Sequence, residues 1–112
     1  MAIAFITHPD CLLHEPGPEH PERAERLAAI EDRLLVQRLD LLVTHYEAPL
    51  ATREQLLRVH SSEHLETLQR LSPAQGFAAI DEDTAMNPHT LKAAHRAAGA
   101  AVLATDLVLS GK

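Results

Sequence analysis

Eight histidines stand among 112 residues, and the densest group of metal-ligand types is His8, Asp10, Cys11 and His14, with His20 six residues further on. Imidazole, thiolate and carboxylate are the donors of transition-metal sites. Their spacing matches no standard zinc pattern, because the chain holds no His-Glu-x-x-His and no Asp-x-His, and Cys11 is its only cysteine. The better-supported reading is a loop with polar histidines and one small apolar thiol. Serine chemistry has less support: Ser61, Ser62, Ser72 and Ser110 fall in helix-cap or turn contexts, and none lies in a Gly-x-Ser-x-Gly elbow. Gly17, Gly76, Gly99 and Gly111 are too far apart to cradle a phosphate.

Two charged groups remain. Arg23 and Arg26 fall in the first turns of an expected helix, where the dipole disfavours cations, and Arg23 projects near a stripe of Leu27 and Ile30. Partial burial of one arginine and a surface pair from Glu22 to Arg26, worth about 0.2–0.5 kcal/mol, stay open as readings. Asp81, Glu82 and Asp83 read as solvated charge favouring the start of the helix that follows.

The elements that must carry these residues can be placed by pattern. Ala2 to Thr7 is an apolar run of strand length without alternation, as in a parallel strand covered on both faces. His8 to His20, with three prolines and a glycine, predicts a loop. Pro21 opens a helix expected to reach Gln37 with Leu27, Ile30 and Leu34 on its apolar stripe, and Leu41 to Thr44 follows as the second strand of a βαβ crossover. Thr52 to Gln55 has the form of a capping box for a short helix to Val59. Ser61 or Ser62 caps a further helix bearing Leu65, Leu68 and Leu71, which Ser72-Pro73 through Gly76 terminates. Asn87-Pro88 supplies a cap and first residue for the longest helix, to about Leu109, with Leu91, Ala94, Ala98, Ala101 and Leu107 on its buried side. Small residues from Ala97 to Ala101 would let that helix approach a neighbour closely, and Gly111 is a stop signal. The expected fold class is α/β, about two strands and four helices in a single domain, 1–112, that is incomplete because a two-stranded parallel sheet leaves both edges unpaired.

Composition excludes several functions. A net charge of -6 without a basic block repels nucleic acid phosphates, so no nucleic acid partner is expected. One cysteine forbids an internal disulfide and fits a reducing, cytoplasmic compartment. The short apolar start is interrupted by His8, Pro9 and Asp10, too soon for a signal core or a membrane span.

The ordered set His20-Pro21-Glu22-Arg23 with Arg26-Leu27, then Arg58 to Leu65, then Asp81 to Leu91, then Ala97-Ala98-Gly99-Ala100, resembles the N-terminal part of the histone deacetylase and acetylpolyamine amidohydrolase family. The likeness is to the bacterial branch related to class II deacetylases and spans nearly the whole chain. It implies an arginase-like α/β fold with a parallel sheet between helices, whose loops build a tunnel to a zinc ion. It implies a hydrolase that cleaves the acetyl-amide bond of an acetylated amine, acetyl-lysine or acetylpolyamine. In that reading the loop His8 to His20 becomes a wall of the pocket. Arg26 matches the arginine at its inner end, Asp83 matches the rim aspartate that accepts hydrogen bonds from the substrate backbone, and His20 and Pro21 count with them as substrate-binding.

The family's zinc ligands, general-base histidines and transition-state tyrosine match nothing in this sequence and are expected beyond Lys112. Tyr46 does not correspond to that tyrosine, and Ala24 replaces a proline common at its place. The chain alone is therefore expected to bind no zinc and to be inactive, supplying pocket and no chemistry. A second reading is a non-enzymatic α/β or helical module that self-associates through its sheet edge and the small-residue face of its last helix.

Overall fold

The computed structural model describes residues 3–111. β1 (Ala4–Thr7) and β2 (Thr44–Glu47) pair in parallel, in register from Ala4 against Thr44 to Thr7 against Glu47. The ladder continues past both ends, with Thr44 N–H donating to the Ile3 carbonyl and Ala48 N–H to the Thr7 carbonyl, each at 2.8 Å. Phe5 and His45, cross-strand partners, meet edge to face at 5.6 Å. Ala2, the first residue of the expected strand, lies outside the described residues.

β2 begins at Thr44, where the sequence pattern had placed the end of the strand, at Leu41 to Thr44. Leu39–Leu42 instead winds into a 3-10 turn and leaves Leu41 and Leu42 exposed. The cause is the preceding helix, α1 (Glu25–Val36), which runs on to Arg38 in a left-handed conformation with φ 59°. The chain is still turning back at Leu41, and the first partner that β1 offers is the Ile3 carbonyl, which Thr44 takes. Leucines predict burial of some kind, whereas the β-branched and aromatic residues Val43, Thr44 and Tyr46 suit the pleated strand itself.

α1 starts at Glu25, four residues after Pro21, because the His20 ring captures the Glu22 amide and turns residues 20–22 outside the helix. Its apolar stripe is not covered: Leu27 is 38% and Ile30 48% exposed, and no residue of α1 is buried. Arg23 and Arg26 are exposed as well, and the Glu22 to Arg26 pair does not form, since Glu22 faces His14 instead.

The caps are as the sequence spelled them. Thr52 Oγ1 accepts from Gln55 N–H and Gln55 Oε1 from Thr52 N–H, the reciprocal box opening α2 (Arg53–Leu57). Ser61, not Ser62, caps α3 (Ser62–Leu71) by accepting from His64 N–H at 3.1 Å. Between α3 and the last helix lies an antiparallel hairpin of two-residue strands, β3 (Ala78–Ala79) and β4 (Ala85–Met86), which the pattern did not announce. The acidic stretch Asp81 to Asp83 is its turn.

α4 (Thr90–Leu109) starts two residues after Pro88, because the Asn87 side chain accepts from both the His89 amide and the Thr90 hydroxyl. Its buried residues are Ala93 and Gly99, so the packed face is rotated from the stripe of Leu91, Ala94 and Ala98. This face lies on β1 and on the 3-10 turn Pro9–Leu12 that follows it. Gly99 is the point of closest approach: a Cβ built there would overlap the Pro49 carbonyl oxygen and come within 2.7 Å of its carbon. One turn earlier on α4, the His95 carbonyl accepts the Ala51 amide at 3.0 Å. The neighbour that the small-residue run admits is thus the backbone leaving β2. Arg96 completes the seam, its Nε donating to Asp10 Oδ2 at 2.9 Å and a terminal nitrogen to the Ala48 carbonyl at 3.0 Å.

Two predictions follow from this seam. Gly99→Ala gains up to about 1 kcal/mol of helix propensity, but overpacking against backbone that cannot rotate away costs about 1–3 kcal/mol or more. The variant should be less stable in denaturant unfolding, and an equal or higher midpoint would contradict the close approach. The second concerns Asp10, whose carboxyl the Arg96 hydrogen bond holds below the usual carboxylate range. A folded-state pKa below the unfolded one gives stability that is complete above the ordinary carboxylate value of about 4 and is lost as pH falls through the lower folded value. Thermal unfolding between pH 7 and pH 3 should show wild type losing more stability on acidification than Asp10→Asn; parallel curves would remove the linkage.

Candidate functional site

The loop after β1 is ordered by its own side chains. His8 Nδ1 accepts the Asp10 amide at 3.0 Å, opening the turn Pro9–Leu12, and further along Asn87 Nδ2 donates to the Leu13 carbonyl at 2.8 Å. Asn87 is buried, and its oxygen accepts from His89 N–H and Thr90 O–H. Thr90 Oγ1 in turn accepts the Asn87 amide and stands 2.7 Å from His14 Nδ1. Since the Thr90 hydrogen is spent on Asn87, His14 Nδ1 is the donor in that contact. His14 Nε2 then faces the Glu22 carboxylate at 3.4 Å. The start of α4, the first loop and the approach to α1 are joined through one polar network.

The metal-ligand types of the first loop are therefore dispersed on separate partners: Asp10 on Arg96, His14 on Thr90 and Glu22, His20 on the hairpin. Burial, with the Asp10 charge adding to it, pushes the Cys11 thiol up and keeps it protonated. Among the described residues no three of His, Cys, Asp and Glu converge to hold a metal ion, so the donors present do not fit a zinc centre.

Two cavities flank the start of α1. An open recess of about 690 Å³ is walled by Pro16 to Pro21 on one side and Asp83 on the other. A second, of about 620 Å³, is apolar along Leu27, Met86 and Ala93, with Arg26 and His14 on its wall. The four site residues that the sequence singled out are thereby divided. His20, Pro21 and Asp83 meet at the recess, while Arg26 lies on the second cavity.

At the recess the backbone of Asp83 is held from both sides by side chains. Its N–H donates to Asp81 Oδ1 at 2.9 Å. Its carbonyl is 2.8 Å from His20 Nε2, and because His20 Nδ1 already accepts the Glu22 amide, Nε2 carries the hydrogen and donates. Asp81 is thus not the freely solvated charge that composition suggested. The Asp83 amide, and after it the Thr84 hydroxyl, lower its carboxyl from the usual value. The turn closes through Ile80 N–H donating to the Thr84 carbonyl at 2.7 Å. The Asp83 carboxylate itself is exposed and takes no protein hydrogen bond among the described residues. Such a carboxylate on a fixed backbone is an acceptor for N–H donors entering the recess. The Asp81 role had one visible signal, an Asp two residues before the amide it accepts, which is the spacing of an Asx turn.

Among the described residues no helix is long and apolar enough to cross a membrane. The family model for the histone deacetylase domain matches residues 20–112. The probable deacetylase of Archaeoglobus fulgidus is 34% identical over 112 residues, covering 98% of this chain and 31% of that protein. The histone deacetylase-like amidohydrolase of Pseudomonas aeruginosa is 32% identical over 129 residues, covering 97% of this chain and 33% of its own. Among solved structures, the HD domain of HDA15 superposes with a TM-score of 0.81 at 30% identity, over 95% of this chain and 32% of that one. The chain spans about a third of the length of these relatives. With the family model matched over residues 20–112 and the solved HD domain superposing over 95% of the chain, the chain belongs to the histone deacetylase family.

Proposed function

We propose that this chain forms the substrate-facing wall of a deacetylase pocket, in an enzyme that hydrolyses the acetyl-amide bond of an acetylated amine to acetate and the free amine. The observation that carries this reading is the Asp83 carboxylate, exposed at the mouth of the recess on a backbone fixed at both its N–H and its carbonyl. A peptide bearing acetyl-lysine offers backbone N–H groups beside the modified side chain, and Asp83 accepts them; Pro21 and His20 form the facing wall. Arg26 belongs to the second cavity, where its guanidinium stands with Arg23, Glu22 and His14 beside the apolar lining of Leu27, Met86 and Ala93. Zinc, which the family resemblance implies for the whole enzyme, finds no ligand set among these residues, so no step of the reaction is assigned to a metal here.

The exposed stripe of α1 supports a second reading, in which copies of this chain associate through Leu27 and Ile30. Light scattering at increasing concentration should then show a rising mass that Ile30→Glu abolishes; a monomer at every concentration would dismiss it.

The first reading is tested by joining residues 1–112 to the remaining two thirds of the Pseudomonas aeruginosa amidohydrolase and assaying an acetyl-lysine peptide against an acetylated polyamine. A charge-assisted hydrogen bond is worth about 1.5–3 kcal/mol, so Asp83→Asn should lower kcat/KM on the peptide by roughly tenfold or more. The polyamine, which has no peptide backbone, should be turned over as before. Equal peptide kinetics for wild type and Asp83→Asn would take Asp83 out of the site.

A further inference from the structure

The hairpin that presents Asp83 has strands of two residues each, too short for ladder hydrogen bonds to hold its turn in one place. Within the turn Ile80 and Asp81 N–H both donate to the Thr84 carbonyl, at 2.7 and 3.3 Å, which closes it without engaging Asp83. The peptide groups of Asp83 are held by side chains. Asp81 reaches over one residue to the Asp83 amide, and His20, 63 residues earlier in the chain, donates to the Asp83 carbonyl. The same His20 ring accepts the Glu22 amide, so one imidazole shapes the wall of the recess and ties it to the opposite side. With both peptide groups around Asp83 engaged, its Cα is held and its carboxylate is the one group of the residue left for a ligand. Neither His20 Nε2 nor the hydrogen-bonded Asp81 oxygen is free to meet a substrate, because each is spent on Asp83.

We propose that His20 and Asp81 are positioning residues that set the preference of this site for peptides by holding the Asp83 backbone from both sides. The proposal rests on the reading of Asp83 as the acceptor for substrate backbone. A ligand that uses Asp83 depends on the clamp, and an acetylated amine with no peptide groups does not. Loosening the clamp therefore raises KM for the peptide, leaves kcat nearly unchanged, and leaves the small amine alone. Asn at position 81 would keep the accepting oxygen, so Asp81→Ala is the substitution that opens the turn. At position 20, His20→Phe keeps a ring and removes both nitrogens, whereas His20→Gln restores a side-chain N–H donor for the Asp83 carbonyl.

The test uses the joined deacetylase with both substrates. The neutral bond from His20, about 0.5–1.5 kcal/mol, corresponds to a two- to tenfold effect, and the charge-assisted bond to Asp81, about 1.5–3 kcal/mol, to roughly tenfold or more. His20→Phe and Asp81→Ala should therefore raise peptide KM by up to about those factors, with His20→Gln closer to wild type. In the Asp83→Asn background neither substitution should add to the loss, since the carboxylate they position is gone. If Asp83→Asn alone leaves the peptide unaffected, the reading of Asp83 fails and this proposal with it. If Asp83→Asn weakens the peptide but the other two do not, or weaken both substrates equally, or add fully to it, the clamp is refuted and Asp83 keeps its role. A measurement independent of variant folding is the ring nitrogen resonances of His20 in the unmodified protein. The Nε2–H tautomer with slow amide exchange at Asp83 is expected; the Nδ1–H tautomer, or free exchange at Asp83, overturns the proposal.

Discussion

Arg96 joins three parts of the chain that no single element brings together. It sits on α4, reaches Asp10 in the turn after β1, and donates to the Ala48 carbonyl where β2 ends. The two side chains are 19% and 16% exposed, so the pair is shielded enough to hold geometry without the full penalty of a buried charge. The bond to Ala48 also occupies a carbonyl that a two-stranded sheet leaves without a partner on its outer edge. Gly99 follows one turn later on the same face and removes the side chain that would keep α4 away from Pro49. Attraction at Arg96 and absence of bulk at Gly99 act on the same segment. Together they decide that α4 packs on the exits of β1 and β2, which is where the loop carrying the site begins.

From that seam, position is relayed outward by polar contacts more than by apolar burial. Among the described residues few large apolar side chains are buried, Met86 and Leu65 being the ones that are, and α1 buries none. The loop after β1 is held at its middle by the network of Leu13, His14, Asn87 and Thr90, and at its end by His20. Hydrogen bonds of this kind contribute little net stability each, yet they are directional, and a lost partner leaves a costly unsatisfied group. A loop tied this way keeps a defined shape while the apolar stripe beside it stays open.

The features legible in the sequence were those whose partners lie within four residues. The capping box of Thr52 and Gln55 and the cap of α3 each depend on neighbours in the chain, and the structure has them where the pattern placed them. The small-residue run of α4 announced a close approach, but not that its partner would be the distant backbone of Pro49. The boundaries that moved were set by distant or competing partners. β2 shifted because β1 fixes its register through Ile3, α1 started late because His20 takes an amide that a helix would leave free, and α4 started late because Asn87 caps through Thr90. The hairpin was missed because Ala78-Ala79 and Ala85-Met86 have neither alternation nor β-branched residues. Family resemblance brought Asp83 and Arg26 into view, but it could not show that they line different cavities.

Asp81 shows why a residue's charge is a poor guide to its role. Three acids in a row suggest mutual repulsion and solvation, and the sequence offers no reason to separate them. The turn separates them by geometry: Asp81 reaches forward along the chain to accept the amide of Asp83, which leaves Asp83 unable to turn its own N–H elsewhere. Its charge strengthens that bond, because an ionised acceptor binds an amide about twice as strongly as a neutral one. A cluster that composition describes as one solvated patch is, in the fold, one group that holds and one group that is held.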